Sequence, residues 1–168
     1  MSLDRENLMI YVNGGTPEMR SIVRRAAKWM LEELVGSRLA ENLTVRLYLI
    51  KNLKKKIGQT GDCIWENENV KPREFTVRID SQRTPWTRIR TLAHELIHVK
   101  QWATDEMYDY MGSQHYGKVR FRKRIYSHKM AYRKQPWEVQ AYAGEGPLML
   151  KWASETDNRH NIKMRKDF

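Results

Sequence analysis

Thr84-Pro85-Trp86-Thr87-Arg88-Ile89-Arg90-Thr91-Leu92-Ala93-His94-Glu95-Leu96-Ile97-His98 is the stretch on which the reading of this chain turns. A threonine that can cap free amides, followed by a proline suited to the first helical position, marks a helix start. Ile89, Leu92, Ala93, Leu96, Ile97 and Val99 then cover so much of the circumference that the middle of the helix should be buried. His94-Glu95-Leu96-Ile97-His98 is an H-E-x-x-H motif lying about two turns inside that helix.

The fourfold spacing puts the two imidazoles one turn apart on the same face, where both can ligate one zinc ion. Glu95 then lies beside the metal and is read as a general base that takes a proton from the attacking water, the chemistry of a zinc peptidase. The competing reading is a pair of satisfied core histidines bracketing an unrelated glutamate. It asks three buried polar groups to find separate partners, at about 1–3 kcal/mol for each that fails. A metal satisfies them together.

Catalytic zinc takes three protein ligands, so a third must come from elsewhere. The extended pattern with a glycine and a third histidine fails, because Gln101 and Thr104 occupy those positions, which excludes the metzincin arrangement. Glu138 is the first choice: Pro136 places it in the opening turn of a helix, and Ala141 would let that helix approach closely. A first-turn acid is also favoured by the helix dipole alone. His115 competes for the role. His128, flanked by Ser127 and Lys129, reads as an exposed turn, and Asp105 and Glu106 can at most support the site from outside.

The chain's 168 residues suit a single domain, read here as residues 1–150 with a polar, basic tail over 151–168. Cys63 is the one cysteine, which excludes a disulfide framework and C-x-x-C metal motifs. No basic leader and no apolar run near twenty residues occurs, so a soluble, intracellular, cytoplasmic protein without membrane contact is expected. The formal charge of +11 points to nucleic acid, an anionic surface or an acidic partner.

Short strands are expected at Leu8–Val12, Leu43–Ile50, Asp62–Glu66 and Glu74–Asp80, with a helix from Thr16 to Gly36 carrying Ile22, Val23, Ala26, Trp29, Met30, Leu34 and Val35. Asp62–Glu66 is the candidate edge strand along a substrate cleft. Residues 113–135 hold eight Lys/Arg and no acid, and Lys118–Tyr126 alternates basic with mostly apolar residues, as in a hairpin strand with one cationic face. A helix follows at Pro136–Ala143.

His94, Glu95, His98 and Glu138 together resemble the His-Glu-His-Glu set of gluzincin metallopeptidases. H-E-L-I-H-V-K-Q at His94–Gln101, Gly117-Lys118 and Pro136-Trp137-Glu138 are similar to compact zincin-type proteins common in bacteriophages. SprT-like proteases share the minimal architecture and basic character, but they carry an H-G-x-x-[WF] histidine where this chain has His115-Tyr116-Gly117 and Phe121. The resemblance implies an α+β, zincin-like fold with an N-terminal helix on a small, mainly antiparallel sheet, the H-E-x-x-H helix, a basic hairpin and a C-terminal helix. It also implies one zinc per chain on His94, His98 and Glu138, and hydrolysis of a protein substrate, which for a phage protein would take place in the host cytoplasm. Tyr126, Tyr132 and Tyr142 are open candidates for the hydroxyl that steadies the oxyanion. The alternative is a nucleic-acid-binding protein with a non-catalytic zinc, which would use segment 113–135 and its tyrosines on phosphates and bases.

Overall fold

A computed structural model describes residues 8–66, 71–110 and 117–155. The chain opens with β1 (Met9–Gly14) and α1 (Pro17–Val35), then a short α2 (Ser37–Ala40), β2 (Thr44–Ile50), α3 (Leu53–Ile57), β3 (Gly61–Trp65) and β4 (Glu74–Asp80). The long α4 (Pro85–Ala103) follows, then β5 (Met107–Asp109), β6 (Lys118–Phe121), β7 (Arg124–Ser127), a 3-10 turn at Tyr132–Lys134 and α5 (Pro136–Glu155). The architecture is α+β, and no helix among the described residues is long and apolar enough to cross a membrane.

The first sheet has the order β1-β2-β4-β3. Contrary to the mainly antiparallel expectation, β1 and β2 are parallel, β2 and β4 are parallel, and only β3 runs antiparallel to β4. The reason lies in the connection: α1 and α2 carry the chain back before β2, and a return crossover makes the second strand parallel. The antiparallel expectation came from the resemblance, and the alternation within the strands reports a covered face, not strand direction. Val45, Leu47, Phe75, Val77 and Ile79 turn inward, while Tyr11, Arg46 and Tyr48 face outward.

Helices α1 and α4 cover the inner face. Thr16 caps α1 by accepting from the Met19 amide at 3.2 Å, and Gly36, with φ of 80°, ends it. Its buried stripe is Val23, Ala26, Ala27, Met30 and Leu31, with Ile22, Trp29, Leu34 and Val35 at the margin. The candidate edge strand, expected at Asp62–Glu66, is β3 at Gly61–Trp65, one of the two outer strands of this sheet. Gly61 allows β3 to lie close on α4, since a Cβ there would stand 2.5 Å from the Thr91 methyl and 2.9 Å from the Arg78 carbonyl.

The cationic segment is a hairpin, as expected, but it folds at Arg122-Lys123 rather than running on to Tyr126. Both turn residues have positive φ, 47° and 69°, as a two-residue hairpin turn requires. β5 adds a third antiparallel strand, and Met107, Val119, Phe121 and Trp137 form a second, small core beneath it. α5 continues well past Ala143, through Gly144, Gly146 and Pro147, to Glu155. Trp152 and Ala153 are buried in the main core, so residues 151–155 are part of the packed helix rather than of a polar tail. Residues 156–168 lie outside the described ones.

Candidate metal centre

Two helices build the centre. Thr84 caps α4, accepting from the Thr87 amide at 3.2 Å, and Pro85 takes the first helical position. From Ile89 to Val99 the helix is buried nearly all round, taking His94, Glu95 and His98 inside with it. α5 crosses it closely: Ala141 is fully buried, and a Cβ on Gly144 would come 2.9 Å from Ile97. Glu138 in its first turn and Glu145, seven residues on, share the face turned to α4.

His94 Nε2 lies 3.1 Å from Glu138 Oε2, His98 Nε2 lies 3.3 Å from Glu138 Oε1, and the two Nε2 atoms are 3.3 Å apart. A tetrahedral ion with ligands at 2.0–2.1 Å sets neighbouring donors about 3.3–3.4 Å apart. The two imidazole nitrogens stand at that spacing, each lies about as far from one of the two Glu138 oxygens, and the three buried side chains can together hold a metal ion.

The outer contacts decide which nitrogen is available. His98 Nδ1 meets Gln101 Oε1 at 2.8 Å, while Gln101 Nε2 donates to the Trp137 carbonyl at 2.9 Å and to Gln140 Oε1 at 2.7 Å. Gln101 Oε1 can only accept, so Nδ1 of His98 carries the proton. His94 Nδ1 is likewise held by Glu145 Oε2 at 2.8 Å, and Arg90 Nε binds the other oxygen of Glu145 at 2.7 Å. Both neutral rings then aim Nε2 lone pairs at each other and at a carboxylate. Such a cluster needs a cation at its centre, either a metal or added protons.

Without metal, the electrostatics answer with protons. Burial opposes charge on His94, but the hydrogen bonds it donates to the Glu138 and Glu145 carboxylates outweigh it and raise its pKa to about 9. His98 also moves upward, against burial, because of Glu138 and Glu95. For Glu138, burial would raise the pKa, yet the two histidines bring it to about 2. Glu95 is different. Burial raises it to about 7, with the histidines pulling the other way, so the group is poised to take or give a proton near neutrality.

Glu95 lies on the boundary of two clefts. The larger, of about 670 Å³, runs past Thr60, Thr91, His94, Glu95 and Tyr142, and the smaller, of about 180 Å³, past Cys63, Glu95, His98, Trp102 and Glu138. Of the three candidate tyrosines, Tyr132 lines both clefts and bonds through its hydroxyl to Glu138, which together with burial drives its pKa upward. Tyr142 stacks edge-on against His94 at 4.6 Å between centroids. Tyr126 instead packs on Trp137.

The structure thus brings together His94, Glu95, His98 and Glu138. His128 is exposed in the hairpin and points Nδ1 at the Gly117 carbonyl; His115 lies outside the described residues. Asp105 pairs with Arg120 at 2.5 Å and Glu106 with Arg122 at 2.8 Å, so two cations of the segment read as acid-free are answered by acids from the preceding stretch. Glu106 also accepts from Gln140 Nε2 at 2.8 Å, which extends the His98–Gln101 line to a third layer. Gln101, Gln140 and Glu145 were not singled out in the sequence, though Glu145 stands two turns from Glu138 and Gln101 one turn from His98. Compared with family models, with curated proteins and with solved structures, the chain matches none.

Proposed function

We propose that this chain is a zinc-dependent metallopeptidase of zincin-like fold, hydrolysing peptide bonds of a protein substrate. One observation carries the reading: two buried imidazole nitrogens 3.3 Å apart, each within 3.3 Å of one Glu138 oxygen and each ring backed by an acceptor on Nδ1, with a further acid, Glu95, on the same helix between them but outside the ligand set. An all-protein cage of two nitrogens and one oxygen, with open cleft on the remaining side, suits catalytic zinc rather than a closed structural site. The mixed sheet with one antiparallel outer strand beside the cleft supports the zincin-like assignment.

When bound, the metal acts as a Lewis acid that polarises the scissile carbonyl and makes water a stronger acid. His94, His98 and Glu138 hold it, and Glu145 and Gln101 keep the imidazoles oriented. Glu95, buried beside the two histidines, would take the proton from the attacking water and hand it to the departing amine. The Tyr132 hydroxyl is the best-placed donor for the developing oxyanion, because it already stands against Glu138 at the junction of the clefts. β3 offers an open edge for main-chain pairing with an extended substrate.

The nucleic-acid reading loses ground, since Arg120 and Arg122 are engaged by Asp105 and Glu106. Metal analysis by mass spectrometry on wild type and Glu138→Ala, paired with digestion of an unfolded protein by wild type and Glu95→Gln, tests the proposal. About one zinc per chain, lost with Glu138, and cleavage lost with Glu95 while zinc remains, are expected. Cleavage by Glu95→Gln at the wild-type rate, or no zinc in the wild type, would sink it.

A further inference from the structure

The two clefts that meet at Glu95 carry opposite chemistry. Lys54, Arg90 and Arg133 line the larger, all exposed, together with Thr60, Thr87 and Thr91. Glu145 in its wall is already shared between His94 Nδ1 and Arg90 Nε, which leaves the far guanidinium nitrogens of Arg90 free of that bond. Arg133 lies over the Tyr142 ring at 5.4 Å and is held in place by it. Among the described residues, the smaller cleft has no Lys or Arg in its lining. Its charged groups are Asp62, tied to Arg78, and Asp109, which accepts from Trp65 Nε1 at 3.3 Å, besides Glu95 and Glu138 of the centre; Trp102, Met107 and Trp137 supply the rest.

Chain direction relates these clefts to a substrate. β3 passes from Gly61 in the larger cleft to Asp62 and Cys63 in the smaller, and α4 runs the same way, from Thr87 and Arg90 to His98 and Trp102. Antiparallel pairing is the slightly more stable ladder per residue, and a peptide so paired on the edge of β3 runs in reverse, entering the smaller cleft with its N-terminal part and leaving through the larger. Residues after the scissile bond then lie among Lys54, Arg90 and Arg133.

Resting on the peptidase reading of this site, we propose that the enzyme selects segments with Asp or Glu within the few residues that follow the scissile bond. Their carboxylates meet Lys54 and Arg133, the latter held over the Tyr142 ring, while Arg90, its charge already answered by Glu145, adds only its remaining N–H groups. Acids placed before the bond face Asp109 and the Glu138 of the centre instead, with Asp62 already answered by Arg78, and are disfavoured, so the selection has a repulsive as well as an attractive half.

The test uses full-length, zinc-loaded Glu95→Gln protein, which binds without turnover, and three fluorescein-labelled degenerate peptide pools read by fluorescence anisotropy. One pool has Glu in the C-terminal half, one has Glu in the N-terminal half, and one has Lys in the C-terminal half. The first should bind about tenfold more tightly than the others, the scale of one charge-assisted hydrogen bond. Lys54→Glu with Arg133→Glu should erase that order without lowering zinc content, and Arg133→Gln should weaken it. Equal binding of the pools, the reverse order, or an order indifferent to Lys54 and Arg133 would overturn the proposal. So would a single-stranded oligonucleotide that binds through Lys54 and Arg133 while the pools stay undistinguished, an outcome that assigns the cleft to phosphates. Wild-type digestion of the same pools separates the two claims: the binding order without cleavage leaves the selectivity standing and removes the peptidase, whereas cleavage without the order does the opposite.

Discussion

Where α4 meets α5, charged and polar side chains are buried and each answers another across the seam; in the β6–β7 hairpin, charged side chains stand in water and pair with their neighbours. His94, His98, Gln101, Glu138 and Glu145 belong to the first region, and Arg122, with 64% of its side chain exposed beside Glu106, to the second. Burial multiplies the consequence of every missing partner, whereas solvent discounts each pair it reaches. The seam is therefore where chemistry is concentrated, although the hairpin is the more conspicuous feature of the charge pattern.

The largest effects should come from cutting the seam at its ligands. Glu138→Ala or His94→Ala is expected to reduce bound zinc from about one per chain to near none and to destabilise the fold by about 3–5 kcal/mol, as removal of one partner from a buried ionic cluster does. Metal analysis and denaturant titration read the two losses. Glu95→Gln should lower hydrolysis about 10²–10⁴-fold with zinc content unchanged, separating the proton carrier from the donors. If both kinds of variant lost zinc equally, Glu95 would belong to the ligand set.

Intermediate effects belong to the outer contacts. Glu145→Gln and Gln101→Leu each remove the acceptor or its charge behind one imidazole and should weaken zinc about 10–100-fold in a competition titration with a chelator. A pH series sharpens the same point. In metal-free protein, His94 has a folded pKa of about 9 against an ordinary value of 6.5, so its contribution to stability is full below 6.5 and is lost as pH rises through about 9. Glu138, at about 2 against 4.5, contributes above 4.5 and loses it as pH falls through about 2. Thermal melts of metal-free protein should thus weaken on the alkaline side, and zinc loading at neutral pH should release protons, measurable by calorimetry in buffers of different ionisation enthalpy.

The smallest change is expected in the hairpin. Arg122→Ala should alter stability by no more than about 1 kcal/mol. A loss as large as that of Glu138→Ala would erase the contrast between the two regions.

The sequence made the seam partly legible because its spacing is local. Thr84-Pro85 and the fourfold histidine interval announce a helix and a shared face, and Pro136-Trp137-Glu138 announces a first-turn acid. Gln101 and Glu145 escaped because their roles exist only across the packed pair of helices: a glutamine three residues after a histidine, or a glutamate between two glycines, carries no distinctive pattern. The end of α5 was obscured by Gly144, Gly146 and Pro147, ordinarily stop signals, which here are overridden by the burial of Leu148, Met149 and Trp152. Strand direction, taken from the resemblance, was missed because parallel pairing is set by connections, α1 and α2 between β1 and β2 and α3 with β3 between β2 and β4, and not by residues in the strands. The acid-free segment 113–135 looked like a free cationic face because its counter-charges, Asp105 and Glu106, precede it in the chain and return only through β5–β6 pairing.

Glu138 and Glu145 follow His94 by 44 and 51 positions, so the H-E-x-x-H helix reaches the third donor and its own brace only through α5. A polypeptide that ends short of α5, whether by proteolytic nicking or because the ribosome has not yet supplied the rest, contains both imidazoles and the base but only two of the three donors. The three-residue cluster is thus a product of tertiary folding: it exists only in molecules in which α5 has been made as far as Glu138 and has docked on α4.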